Sequence, residues 1–156
     1  MWSVDETKQK AMAHDPIAMF HLAQMYRSGE ITSSNEDLDI VWLKRFFEHP
    51  VVDGVLRDLD EEDGDHSIDF LLFTEEYSNL RDCIIEAGIA LGLYYCKSNH
   101  LDELYIARDS LYSALLSSRY DWLQTDVDGD LYEVNTIFYD VLRKIERLEG
   151  NGDHDE

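Results

Sequence analysis

The chain has 156 residues, 44% of them hydrophobic, enough to bury one proper core, and nothing in it argues for a second domain. Its 34 acids against 13 lysines and arginines leave a formal net charge of -21, a self-repulsion that works against any compact state. That balance makes the chain a poor ligand for phosphate backbones and anionic lipid, and a good one for basic surfaces. Nine Tyr, six Phe and three Trp are too much aromatic surface for an unfolded chain. Met1 to Lys10 is polar and mixed in charge, unlike a signal peptide, and the longest uncharged apolar run, Ala87 to Cys96, is about half of what a membrane span needs. These features, with Cys83 and Cys96 inside apolar sequence as buried reduced thiols, predict a soluble cytoplasmic protein.

The first helix signal is Asp15-Pro16, a capping carboxylate followed by a residue with no amide to leave orphaned. Ile17, Phe20, His21, Gln24 and Tyr26 then follow a helical period until Gly29. Ser33-Ser34-Asn35-Glu36 predicts a second start, with Leu38, Val41, Trp42, Phe46 and Phe47 on one stripe and His49-Pro50 as the stop. Val51 to Asp65 reads as the least regular stretch, and its block Asp58, Asp60, Glu61, Glu62, Asp63 and Asp65 as a solvated loop or frayed helix end. A third helix is expected to resume at Ile68 to Phe73 and run through Tyr77 and Leu80. Ala87, Gly88, Ala90 and Gly92 form a smooth face for close approach of another helix, because interior glycine costs about 1 kcal/mol against Ala and two of them imply a packing need. Asn99 and His100 precede an amphipathic helix from Leu101 to Ser118, with Leu104, Ala107, Leu111, Ala114 and Leu115 inward. A second acidic loop is expected at Asp126-Val127-Asp128-Gly129-Asp130, then a last helix carrying Leu131, Val134, Phe138, Val141, Leu142 and Ile145 and ending at Gly150. The domain organisation expected is a single helical domain over residues 1–150 with an acidic, mobile tail over 151–156.

One spaced pattern occurs twice. Ala18, Leu22, Ala23, Tyr26, Gly29 and Trp42 recur as Ala87, Leu91, Gly92, Tyr95, Ser98 and Leu111, each 69 residues further on. A small residue, Leu, a small residue and Tyr at helical spacing, then Gly or Ser and a large apolar residue, describe a helical hairpin. Asp15-Pro16-x-Ala18-x3-Leu22-Ala23-x2-Tyr26-x2-Gly29 with Trp42 resembles a Sel-one-like repeat, a relative of the tetratricopeptide repeat, and Leu91-Gly92-x2-Tyr95 is the better match to the shared core. Departures are Ala23 at the usual first Gly, Ser98 at the loop Gly, and Asp39 and Arg108 where the second helix commonly has Ala. The two units cover less than half the chain, and the spacing leaves room for a degenerate unit from Val52 to Glu86. The resemblance implies an all-α fold of antiparallel helix hairpins stacked as a short superhelix, whose concave face binds peptides or protein domains. The matched residues are packing residues, so the resemblance transfers no functional position.

The residues offer little chemistry. Asp126, Asp128 and Asp130 resemble the opening of a calcium loop, but the positions that need Gly and a bidentate Glu hold Leu131 and Ile137, so no metal is expected. The six histidines include no pair on a helix face, and neither cysteine has the basic surroundings of an activated thiol. Phosphate-binding, dinucleotide and nucleophile-elbow motifs do not occur. The expectation is a protein without catalytic residues or cofactor, of unstated oligomeric state.

The distribution of acids favours one function. From Glu48 to Glu76 there are eleven acids and the single Arg57, and from Tyr120 to Leu142 six acids and no Lys or Arg. Such clusters predict a basic protein partner, contacted by Asp58, Asp60, Glu61, Glu62, Asp63, Asp65, Asp126, Asp128 and Asp130. The reading is an immunity or inhibitor protein that covers the basic active site of a cognate toxin, a nuclease first among them. The alternative is a helical-repeat adaptor or chaperone holding a peptide or effector in its groove. A nucleic-acid mimic would want acids along a whole face, which Arg143, Lys144 and Arg147 interrupt.

Overall fold

The acids that burden the chain also start its helices. In the computed structural model, which describes residues 2–31, 37–60, 75–118, 124–127 and 130–153 (only the backbone for 58–60, 75–78, 124–127, 130–132 and 151–153), Ser3 caps helix α1 (Val4–Met12). Its hydroxyl accepts from the Glu6 N–H at 3.1 Å and donates to the Glu6 carboxylate at 3.2 Å. Helix α2 (Pro16–Ser28) starts as expected: Asp15 Oδ1 accepts from the amides of Ile17 and Ala18 at 3.0 and 3.3 Å, and Pro16 occupies the first turn. It ends at Gly29, whose φ of 84° is left-handed and natural to glycine. Helix α3 (Leu38–Glu48) ends at His49, held extended ahead of Pro50. The start expected over Ser33 to Glu36 lies outside the described residues.

Pro50 does not lead into irregular chain. It opens helix α4 (Pro50–Asp60), so the expectation for Val51 onwards is corrected up to Asp60. His49 makes the junction: its Nδ1 accepts from the Val51 N–H at 3.1 Å while Nε2 donates to the His14 carbonyl at 2.8 Å. Val52 and Val55 bury one face, and Arg57 meets Asp53 one turn back at 3.0 Å. A proline at the first helical position followed by this apolar spacing outweighs the local charge.

Helix α5 (Glu75–Tyr95) is continuous, joining the third helix expected through Leu80 to the smooth face at Ala87; Ile68 to Phe73 lie outside the described residues. Helix α6 (Leu101–Ser117) follows a short connection in which Ser98 Oγ accepts from the His100 amide at 3.0 Å and donates to Glu103 at 2.8 Å. Strands β1 (Gln124–Val127) and β2 (Asp130–Glu133) then pair antiparallel, and helix α7 (Val134–Asp153) follows directly. The acidic loop at Asp126 is thus replaced by a hairpin, which takes in Leu131 as well. Helix α7 continues three residues beyond Gly150, since interior glycine weakens a helix without ending it. Among the described residues the fold is all-α: seven helices and this one hairpin.

Backbone contacts gather into two compact units, Met1–Ile84 and Ile85–Glu156. In the first, α2 packs on α1 and α3, and α3 on α4. Leu22, Leu43 and Phe46 are fully buried there, with the Phe20 and Phe46 rings 6.0 Å apart. In the second, α6 packs on α7, burying Leu104, Leu111, Val134 and Val141. The repeated positions play the same packing part in each unit. Ala18, Leu22 and Ala23 are buried on α2 with Trp42 on α3, as Ala87, Leu91 and Gly92 are on α5 with Leu111 on α6. Tyr95 is buried as well, whereas Tyr26 is half-buried.

The smooth face of α5 serves the close approach expected of it. A Cβ at Gly88 would run into the Ser110 carbonyl oxygen and sit 3.0 Å from the Ala114 Cβ, and one at Gly92 would strike the fully buried Leu111 side chain. Gly54, within α4, has nothing within 4 Å of such an atom. Gly88→Ala should therefore destabilise by about 1–3 kcal/mol through overpacking, despite alanine's better helix propensity. Gly54→Ala should be neutral or stabilising by up to about 1 kcal/mol. Urea denaturation of the two variants checks the opposite signs; equal shifts would mean that α5 and α6 are not in this contact.

Candidate functional site

The two acidic blocks belong to different units. Asp58 and Asp60 stand on the last turn of α4, while Glu61, Glu62, Asp63 and Asp65 lie outside the described residues. Arg57, the one Lys or Arg between Glu48 and Glu76, is already engaged with Asp53, so it does not serve as a dedicated counter-charge for the block. In the other unit Asp126 is on β1 opposite Leu131, and Asp130 is on β2 opposite Val127. Asp128 lies outside the described residues, between these paired ends. Two acids of this block are therefore brought to the end of a β-hairpin that leads straight into α7. The signal that could have found it is Asp128-Gly129 between Gln124-Thr125 and Leu131-Tyr132, the dipeptide favoured in two-residue hairpin connections.

Residues that sequence reasoning passed over form a groove in the first unit. Trp2, Ile17, Met25, His21, Gln24 and Glu30 are among the residues that line a space of about 650 Å³ over α1 and α2. The Trp2 ring is fixed from two sides, edge-on to His21 with centroids 5.9 Å apart and under the Lys10 ammonium at 4.4 Å. A smaller hollow of about 410 Å³ lies beside the His49 junction, lined by Met12, Trp42, Arg45 and Pro50 among others. The Arg45 guanidinium sits 4.8 Å over the Trp42 ring. The signal for α1 was the Ser3-x-x-Glu6 capping box, read only as polar sequence.

Titrating groups show no activated nucleophile in the described cysteines. Cys96 is half-buried rather than buried, and that burial pushes its thiol up, outweighing the nearby Lys97; Sγ donates to the Leu93 carbonyl at 3.4 Å. Cys83 is buried as expected. Among the described residues no group of three or more His, Cys, Asp or Glu is placed to hold a metal ion. No helix there is long and apolar enough to cross a membrane. Comparison with protein-family models, with curated proteins and with solved structures found no match.

One perturbed group is on the surface of the second unit. The Tyr105 hydroxyl donates to Glu149 Oε2 at 2.5 Å, and this bond, ahead of desolvation, holds the phenol above its ordinary value of 10.0. The folded chain thus keeps this proton more tightly than the unfolded one. The associated stabilisation is complete below the ordinary tyrosine range and is lost as pH rises through the folded value. In a phenolate absorbance titration, Glu149→Gln should move one late-titrating tyrosine down towards the ordinary range, and Tyr105→Phe should delete it. An unchanged late component in both variants would mean that the bond does not form in solution.

Proposed function

We propose that the protein is a non-enzymatic acidic binding module of the immunity or inhibitor type, which covers the basic active site of a cognate toxin, a nuclease first among the candidates. The observation that carries this reading is the placement of charge without compensation. In the first unit two cations near described acids are already occupied: Arg57 by Asp53, and Arg27 by Asp39 at 3.8 Å. Lys10 and Arg45 lie over tryptophan rings. The acids from Asp58 to Asp65 follow with no Lys or Arg among them, and Asp126 and Asp130 of the second block sit on paired strands. An acidic surface of this kind attracts a basic active site over a Debye length of about 8 Å at physiological salt and excludes its nucleic acid. The paired helical hairpins support the scaffold reading, a short stack of Sel-one-like or tetratricopeptide-like units, and the reducing state of the cysteines fits a cytoplasmic setting.

The test is a pull-down from host lysate at low and high salt. One small basic protein, recovered at low salt, lost as salt rises and lost with Asp60, Glu62 and Asp63 all changed to Ser, is the expected result. The inhibitor reading requires the triple variant to keep its melting temperature, because charges left in solvent for a partner contribute little to stability. Many unrelated proteins, or one held regardless of salt, would overturn the inhibitor reading.

The groove over α1 and α2 favours a second reading, an adaptor that holds a peptide there. An apolar space with a few polar groups is the usual form of such a site. On that reading the partner is held at high salt, survives the triple serine change, and is lost with Trp2→Ala, which removes the ring that lines the groove. Retention of the partner by Trp2→Ala would sink it.

A further inference from the structure

The second unit carries an aromatic face that the acidic reading does not use. Tyr105, Arg108 and Tyr112 lie on one side of α6, at spacings of three and four residues. Helix α7 runs antiparallel beside them: Phe138 stacks on Tyr112 with centroids 6.0 Å apart and planes 25° apart, while Glu149, further along α7, bonds Tyr105. Tyr139 follows, tilted on Phe138 at 5.8 Å. Tyr112 is 43% exposed and Tyr139 55% exposed, large values for aromatic side chains held by neighbouring rings. The face is already a seat for guanidinium, since Arg108 lies 4.8 Å over the Tyr105 ring. Asp109 and Asp140, 70% and 61% exposed, flank it, each paired with an exposed arginine.

We infer that this face is the anchor of the protein's interface, and that it takes arginine side chains of a basic protein partner on the rings of Tyr112 and Tyr139. The inference rests on the proposal that the partner is basic. Three features fix this occupant. Ring faces attract cations, and planar guanidinium above all, as Tyr105 and Arg108 demonstrate within the face itself. The unit has 15 acids against six Lys and Arg, so a second copy of the chain or an anionic membrane meets repulsion where a basic protein meets attraction. The acidic hairpin runs without a break into α7, one turn before Phe138, so steering charge and aromatic anchor are continuous in the chain. Tyrosine is among the residue types in which a few positions carry most of an interface's binding energy.

The test uses the full chain with two labelled synthetic peptides, one of nine arginines and one of nine lysines, followed by fluorescence anisotropy at low and high salt. The arginine peptide should bind the tighter by about threefold or more, and Tyr112→Leu with Tyr139→Leu should erase that advantage by lowering arginine-peptide affinity about fivefold. Tyr112→Phe with Tyr139→Phe, which keeps the rings, should retain it. Circular dichroism checks the fold of each double variant, and Tyr139→Leu alone serves if the leucine pair does not fold. Asp126→Asn with Asp130→Asn should weaken both peptides equally and reduce their salt dependence. Equal binding of the two peptides, unaffected by leucine but weakened by the asparagine and triple serine changes, would overturn the aromatic anchor and leave the acidic reading standing. Binding indifferent to every acidic substitution would overturn both. Self-association lost in the leucine variant would also overturn the inference, by making the face a contact between copies.

Discussion

The structure depends on placing 34 acids where a folded chain can tolerate them. The helix N-terminus is one solution, used by seven of the described acids. Asp5 and Glu6 lie in the first turn of α1, Asp15 caps α2, Asp39 and Asp53 open α3 and α4, and Asp102 and Glu103 open α6. Each carboxylate there faces the positive end of the helix dipole and the orphan amides of the first turn, an interaction of about 0.3–1 kcal/mol at exposed sites. In the first unit the scarce cations complete the scheme, with Lys10, Arg27, Arg45 and Arg57 in the last turns of the same four helices. Repulsion between these acids is thus offset locally, within the helix ends themselves. Asp58 and Asp60, on the last turn of α4, and Asp126 and Asp130, on the hairpin strands, stand away from these helix starts.

Packing supplies what capping cannot. Fully burying a Leu, Ile or Phe side chain contributes about 1.5–3 kcal/mol, and Leu22, Leu43, Phe46, Leu91, Leu104 and Leu111 are all buried. Apolar area alone does not set register. In the second unit the glycines do so, because Gly88 and Gly92 meet Ser110, Ala114 and Leu111 at distances no larger residue allows. The repeated pattern therefore records a packing requirement in both copies, with Ala23 where the second copy has Gly92, and says nothing about chemistry.

Much of the helical framework was legible because its signals are local. Asp15-Pro16, Gly29 and His49-Pro50 act through the backbone of adjacent residues, and they mark boundaries where the structure has them. Helix α4 was misread because charge was weighed above period: Val52 and Val55 have helical spacing, and Pro50 that ends α3 equally begins the next helix. The strands were misread for the same reason, since Asp126 and Asp130 were taken as acidic loop although they lie on paired strands. The α1–α2 groove and the α6–α7 aromatic face were not legible. Both arise from side chains far apart in the chain, Trp2 with Met25 and Tyr112 with Phe138, whose proximity no local pattern encodes.

On the proposed reading, that difference bears on how the surfaces would divide the work of binding. Exposed charge acts at a distance and is screened by salt, so it governs how fast a partner arrives and which partners are rejected. Residence depends on short-range contact, for which desolvated aromatic surface is the stronger source. A chain that relied on its acidic blocks alone would bind any basic protein, quickly and briefly. Discrimination among basic partners requires geometry, and among the described residues of the second unit Tyr105, Tyr112, Phe138 and Tyr139 offer one, set by the Glu149 hydrogen bond, the Arg108 stack and their own ring contacts.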